Sequence, residues 1–220
     1  MRLAIFDFDG TLYGKETFPL MMDHLKNHPT YGKRYPSFLM KILPSYSLAK
    51  LKLYPTSKMQ RKAMQFYINT LQGLTKEEVN EYFKEIAEKF TENFNNRVVD
   101  SFHDHVQKGD YTMLVSGAYL PLLKQATTEL PFDKIIGTDI PFAHDKVDIK
   151  TPIIHVQGQR KTEAILEALE GQQIDWQNSY AYADSYSDLP VFDLVGNPIA
   201  VDPDERLENH AISNKWTIFK

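Results

Sequence analysis

Leu3-Ala4-Ile5-Phe6-Asp7-Phe8-Asp9-Gly10-Thr11-Leu12 decides how this chain folds. Four apolar residues in a row, without alternation, read as a short strand buried on both faces of a parallel sheet. Asp7 and Asp9 then stand where that strand ends and the chain turns at Gly10. In open α/β sheets, ligands bind beyond the carboxyl ends of the strands. Two carboxylates this close repel each other, so keeping both ionised asks for a cation. The plainer reading is a strand-ending turn, because Asp and Gly are ordinary turn formers. The choice rests on what the rest of the chain brings to the same edge.

Downstream of the turn the pattern is helical for about eighty residues. Glu16 to His28 reads as a helix stopped by Pro29, followed by Met59 to Leu71 and Thr75 to Phe94. Thr75 and Glu78 have the spacing of a capping box. Phe38 to Tyr54 is apolar and cationic at once, with leucines interleaved among Lys41, Lys50 and Lys52 and with Pro44 and Pro55 limiting helix length. From Arg97 onward strands and helices alternate. Helices are expected over 97–108, 119–130, 161–170, 188–195 and 205–212, and strands over 111–115, 135–136, 179–183 and 198–201. The expected fold is therefore α/β, a Rossmann-like, doubly wound parallel sheet. Residues 1–14 and 96–220 form its core, and 15–95 an inserted all-helical cap.

The 42% hydrophobic and 12% aromatic content is that of a globular chain. With no cysteine, disulfides and thiolate chemistry are excluded. No apolar stretch approaches the roughly 20 residues of a spanning helix, and the first strand leaves no room for a signal peptide; the expectation is a soluble, cytoplasmic protein. Charge is uneven. Residues 15–65 hold ten Lys or Arg against Glu16 and Asp23, a net of +8 in a chain of −4, so the remainder carries −12. Such a balance argues against a dedicated nucleic-acid binder.

Three further positions match the first motif. The second strand runs into Ser116-Gly117, a hydroxyl and free backbone N–H groups suited to an anion, or else to a helix cap. Lys161 opens a helix, against the helix dipole, which favours acids there. Tyr180 to Ala183 runs into Asp184 and Asp188, again two carboxylates just past a buried strand.

Acid pair, hydroxyl, lysine, acid pair: in this order the chain resembles the haloacid dehalogenase superfamily of phosphohydrolases, over essentially the whole core. The matching residues are Asp7 to Thr11, Ser116, Lys161, and Asp184 with Asp188. A helical insertion between the first two motifs is similar to the phosphoserine-phosphatase-like branch. So are Glu16, at the position of a cap acid that contacts a substrate amine, and the stretch 161–166. The fourth motif departs from that branch, reading Ala183-Asp184-Ser185-Tyr186-Ser187-Asp188 where Gly-Asp-Gly-x-Asn-Asp is usual. This form is similar to relatives that include histidinol-phosphate phosphatases and phospholipid-headgroup phosphatases.

The resemblance implies Mg2+-dependent hydrolysis of a phosphate monoester through an aspartyl-phosphate. Asp7 is then the nucleophile and Asp9 the acid and base. Asp7, Asp9 (through its carbonyl) and Asp184 hold the metal, and Ser116 and Lys161 hold phosphate oxygens. Asp188 orients Lys161 or metal waters, while Thr11, Gly117 and Glu16 meet the substrate. A small phosphorylated metabolite such as phosphoserine or histidinol phosphate is the expected substrate. The alternative is a phosphatidylglycerophosphate-type lipid, reached through contact of the basic cap with an anionic membrane. A homodimer is left open. Among the histidines, His24 and His28 share a helix face, but Pro29 follows and no third ligand is near in sequence, which weighs against zinc. His103 and His105 read as solvated, and His144 and His155 carry no signal.

Overall fold

A computed structural model describes residues 1–90 and 93–220. Strand β1 (Leu3–Phe6) is followed by helices α1 (Thr17–Asn27), α2 (Tyr35–Lys50), α3 (Thr56–Thr70) and α4 (Lys76–Ala87). Then come α5 (Asn96–Gln107), β2 (Tyr111–Tyr119), α6 (Leu120–Ala126), β3 (Lys134–Thr138) and a small hairpin, β4 (Phe142–Ala143) with β5 (Lys146–Val147). The chain closes with α7 (Gln159–Ala168), β6 (Tyr180–Ala183), α8 (Leu189–Phe192), β7 (Asn197–Val201), α9 (Glu205–Ser213) and β8 (Thr217–Phe219).

Six of these strands form one parallel sheet in the order β3-β2-β1-β6-β7-β8. Side chains alternate across it, as strand geometry requires. Leu3, Ile5, Met113, Val115, Ala181 and Ala183 pack on one face with Ile165 of α7 and Leu207 and Ala211 of α9. Ala4, Phe6, Leu114 and Tyr182 pack on the other with Val98 and Phe102 of α5. Both faces are covered, which is why the strands read as continuous apolar runs. Phe8, two residues past Phe6, joins the second of these faces. Phe8 is fully buried, 5.6 Å edge-on from Phe90, which ties the motif to the helical insertion.

The structure moves several expected boundaries. Strand β2 continues through Ser116 and Gly117 to Tyr119, with a break in its register against β3 between Val115 and Tyr119, so α6 is shorter than expected. α2 runs through Pro44 instead of stopping there; Pro44 is exposed, so water can solvate the carbonyl left without a partner. The helix expected from 188 begins as a 3-10 turn, Tyr186–Asp188, before α8. α4 ends at Ala87, and the expected continuation to Phe94 crosses residues 91 and 92, which lie outside the described residues. The capping box forms: Thr75 Oγ1 accepts from the Glu78 N–H at 3.2 Å, and Glu78 Oε2 from the Thr75 N–H at 2.8 Å. Strand β8, three residues long, has no counterpart in the sequence reading.

Candidate active site

Register builds the site. Phe6 lies level with Leu114 of β2 and Tyr182 of β6, and the Asp7 N–H donates to the Tyr182 carbonyl at 2.9 Å. Asp7 thus follows the end of β1 beside Ala183, with Asp184 next along. On the other flank, Ser116 is one step beyond the residue level with Asp7. α7 supplies the lysine. Its start at Gly158 has φ +58°, a conformation for which glycine is suited, and Lys161 follows in the first turn.

Lys161 Nζ lies 2.8 Å from Asp7 Oδ2 and 2.6 Å from Asp188 Oδ1, all three side chains being at least nine-tenths buried. Asp7, Asp184 and Asp188 each offer a carboxylate oxygen, these atoms lying within 4.8 Å of one another. Gly10 allows this approach: its φ is +70°, and a Cβ there would overlap the Asp184 carboxylate. Three acids around one ammonium leave negative charge uncompensated, and the titration behaviour reflects it. Burial pushes the Asp7 carboxyl well above its usual range; Lys161 pulls it back, and Asp188 and Asp184 push it up again. Asp184 is raised to about 7, by burial first and Asp188 next. For Lys161, burial works against the charge, but Asp188 and Asp7 hold its pKa above the ordinary value.

Asp9 stands apart from the trio. Its Oδ1 accepts from the Thr17 N–H at 2.7 Å and its Oδ2 from the Thr17 hydroxyl at 3.2 Å. It therefore caps α1, a role that Glu16 at the N-cap position leaves unfilled. Burial, followed by the charge of Glu16, raises the Asp9 carboxyl to about 7 despite the bonds from Thr17. A carboxyl poised there can both give and take a proton near neutrality. Glu16 itself is exposed, near enough to act on Asp9 and Asp184.

Ser116 is buried, and its Oγ accepts from the Ala118 N–H at 3.1 Å, leaving the hydroxyl proton to donate. The Thr11 hydroxyl, expected to meet substrate, is instead fully buried and turned toward Asp184 Oδ1 at 3.5 Å. Gly117 faces His155, which the sequence left unread: a Cβ at Gly117 would come within 2.9 Å of its Nε2. Burial, then Arg61 and Lys161, lower the His155 pKa to about 4, so the ring is neutral. Only the folded chain brings His155 there; its sequence context gives no signal.

Two other histidine readings change. His105 is buried, not solvated, between Asp110 Oδ2 at 2.6 Å and the Tyr182 hydroxyl at 2.9 Å. For His24 and His28 the fold supplies the third ligand absent from the local sequence: Glu85 Oε2 is 3.4 Å and 3.6 Å from their Nε2 atoms. Yet His28 Nδ1 accepts from the Thr30 and Tyr31 N–H groups, both at 3.1 Å, and Lys89 Nζ lies 3.3 Å from His24 Nδ1. Those partners put the ring protons on Nε2, facing Glu85, where a metal would need a lone pair. The trio is a polar clamp between α1 and α4 in which His24 Nε2 makes no hydrogen bond.

A family model for haloacid dehalogenase-like hydrolases matches residues 4–193. The chain belongs to that family. Among curated proteins, a histidinol-phosphatase of Neisseria meningitidis serogroup C (strain 8013) is 28% identical over 163 residues, 71% of this chain and 72% of that protein. The inhibition of morphological differentiation protein of Streptomyces azureus is 28% identical over 116 residues, 53% of this chain and 42% of its own length. The chain thus spans less than half of that relative. A solved protein of unknown function from Bordetella pertussis Tohama I superposes with a TM-score of 0.83 at 19% identity, covering 100% of this chain and 98% of that one. A phosphoserine phosphatase, solved as a phospho-aspartyl intermediate analogue, superposes at 0.65 and 16% identity, covering 99% and 92%. At those identities the hydrolase shares a fold with both.

Proposed function

We propose that the protein hydrolyses phosphate monoesters through a phosphorylated Asp7. The observation that carries this reading is the meeting of Asp7, Asp184 and Asp188 around Lys161 at the carboxyl ends of β1 and β6. The donor set suits Mg2+: all oxygen, largely carboxylate and short of positive charge. Asp7 and Asp184 would hold the ion together with the Asp9 carbonyl. When bound, it supplies the positive charge that lets a carboxylate approach a phosphate.

Asp7 attacks phosphorus in line with the leaving oxygen, giving an acyl phosphate and replacing one hard displacement with two easier ones. Lys161, oriented by Asp188, and the free proton of Ser116 stabilise charge on the phosphoryl oxygens. Asp9 donates its proton to the departing alkoxide, then takes one from the water that cleaves the acyl phosphate. Asp9 caps α1, so the helical insertion, acting as a cap, helps to hold it in position. Glu16, exposed beside Asp9, suits a cationic group on the substrate. The relative named histidinol-phosphatase favours a small phosphorylated metabolite as substrate.

The test is a screen of phosphomonoesters, among them phosphoserine, histidinol phosphate and phosphatidylglycerophosphate, with Mg2+ or with EDTA. At least one ester is expected to turn over with Mg2+ and not with EDTA. Asp7→Asn is expected to lose turnover by at least about a thousandfold. Turnover unaffected by EDTA, or within tenfold of wild type in Asp7→Asn, contradicts the reading.

A further inference from the structure

The helical insertion carries a surface that its own packing does not explain. α2 buries Phe38, Ile42 and Ser45. On the adjoining face Leu39, Leu43 and Tyr46 recur at helical spacing and point outward, and the turn after the helix adds Leu51 and Leu53. Leu43 is 59% exposed, Leu51 67% and Leu53 73%. Large apolar side chains this open, gathered on one helix and its turn, mark an interaction surface in a soluble fold. Lys50, on the same face of the helix, and Lys52, in the turn, are exposed beside them. No Asp or Glu occurs between Asp23 and Glu77.

We propose that this face docks the protein on an anionic lipid bilayer, leucines in the acyl boundary and lysines among the headgroups. The charge pattern selects the occupant. A second copy would set the same lysines against one another, with no acid in this stretch to answer them. An anionic bilayer matches both the apolar and the cationic parts. Among the described residues no helix is long and apolar enough to cross a membrane, so α2 lies on the surface instead of spanning it.

Docking there would bring lipid close to the site. Gln60, about one helical turn into α3, accepts from the Gln157 side chain at 2.9 Å, and Gln65 accepts from the Ile153 N–H at 2.9 Å. The leucine turn therefore sits just beyond the junction between the insertion and the segment leading into Lys161. The docking face involves no catalytic step, and it stands or falls separately from the phosphatase reading.

Flotation of the full chain with vesicles tests it. At low salt the protein is expected to float with phosphatidylcholine–phosphatidylglycerol vesicles of roughly three to one, not with phosphatidylcholine alone, and to be released as salt rises. Lys50→Ala and Lys52→Ala are each expected to weaken partitioning about fivefold, and Leu43→Ser with Leu53→Ser to abolish it. All four residues are exposed and outside the active site, so circular dichroism and hydrolysis of a soluble aryl phosphate should be unchanged. Three results overturn the proposal: no flotation with the anionic vesicles, flotation indifferent to the leucine pair, or a dimer that the leucine pair dissolves.

Discussion

Two buried ionic clusters sit at opposite ends of the same sheet. At the amino ends of the strands, Asp110 is met by Arg2 and by His105, and the Tyr182 hydroxyl closes the far side of the His105 ring. At the carboxyl ends, Asp7, Asp184 and Asp188 share a single ammonium, that of Lys161. The first cluster balances: one carboxylate with one guanidinium, and a histidine whose pKa burial lowers, keeping it neutral. The second does not. Both involve buried acids near strand ends, so burial and ion pairing alone would rate them alike. Surplus charge separates them, because a fold has no reason to collect unmatched carboxylates unless something positive arrives.

That contrast can be broken by exchanging its terms. Asp184→Asn removes surplus charge, and turnover with Mg2+ should fall about a thousandfold or more in steady-state assays. Asp110→Asn breaks a balanced pair. It is expected to cost about 3 kcal/mol in urea unfolding, while leaving kcat within about twofold. The same unfolding measurement on metal-free Asp184→Asn near pH 8 should show a gain of about 1–2 kcal/mol, because the raised carboxyl no longer has to ionise in a buried site. Were both variants to lose stability equally, the distinction between the clusters would fail.

The smallest effect lies in the clamp between α1 and α4. Burial, then Lys89, lower the His24 pKa to about 4. The unfolded chain therefore binds more protons between about pH 6.5 and pH 4, and His24 withdraws stability as pH falls through that window. Between about pH 7 and pH 4.5 wild type should lose about 2 kcal/mol more than His24→Gln, by urea unfolding at each pH.

How far the sequence could be read follows from how each residue is placed. Asp7 and Asp184 follow buried strands and Ser116 lies within one, and the apolar runs of those strands show at once in the sequence. Lys161 is visible because a lysine in a first helical turn runs against the dipole. The residues that escaped are placed by other parts of the fold. Thr17 captures Asp9 only because α1 begins where the motif turns. His155 reaches Gly117 from a segment with no regular pattern, and Glu85 joins His24 and His28 across two helices. The exposed leucines of α2 read equally well as cap core; only the packing of Phe38 and Ile42 shows which face is left outside.

If Asp7 is the nucleophile, it carries the phosphoryl group during turnover. Acid quench during turnover, followed by peptide mass spectrometry, tests it most directly. A phosphoryl mass is expected on the peptide containing Asp7, lost on borohydride reduction with conversion of that residue to homoserine, and absent in Asp7→Asn. Phosphorylation on another residue, or steady turnover with no phosphorylated peptide and an active Asp7→Asn, would contradict it.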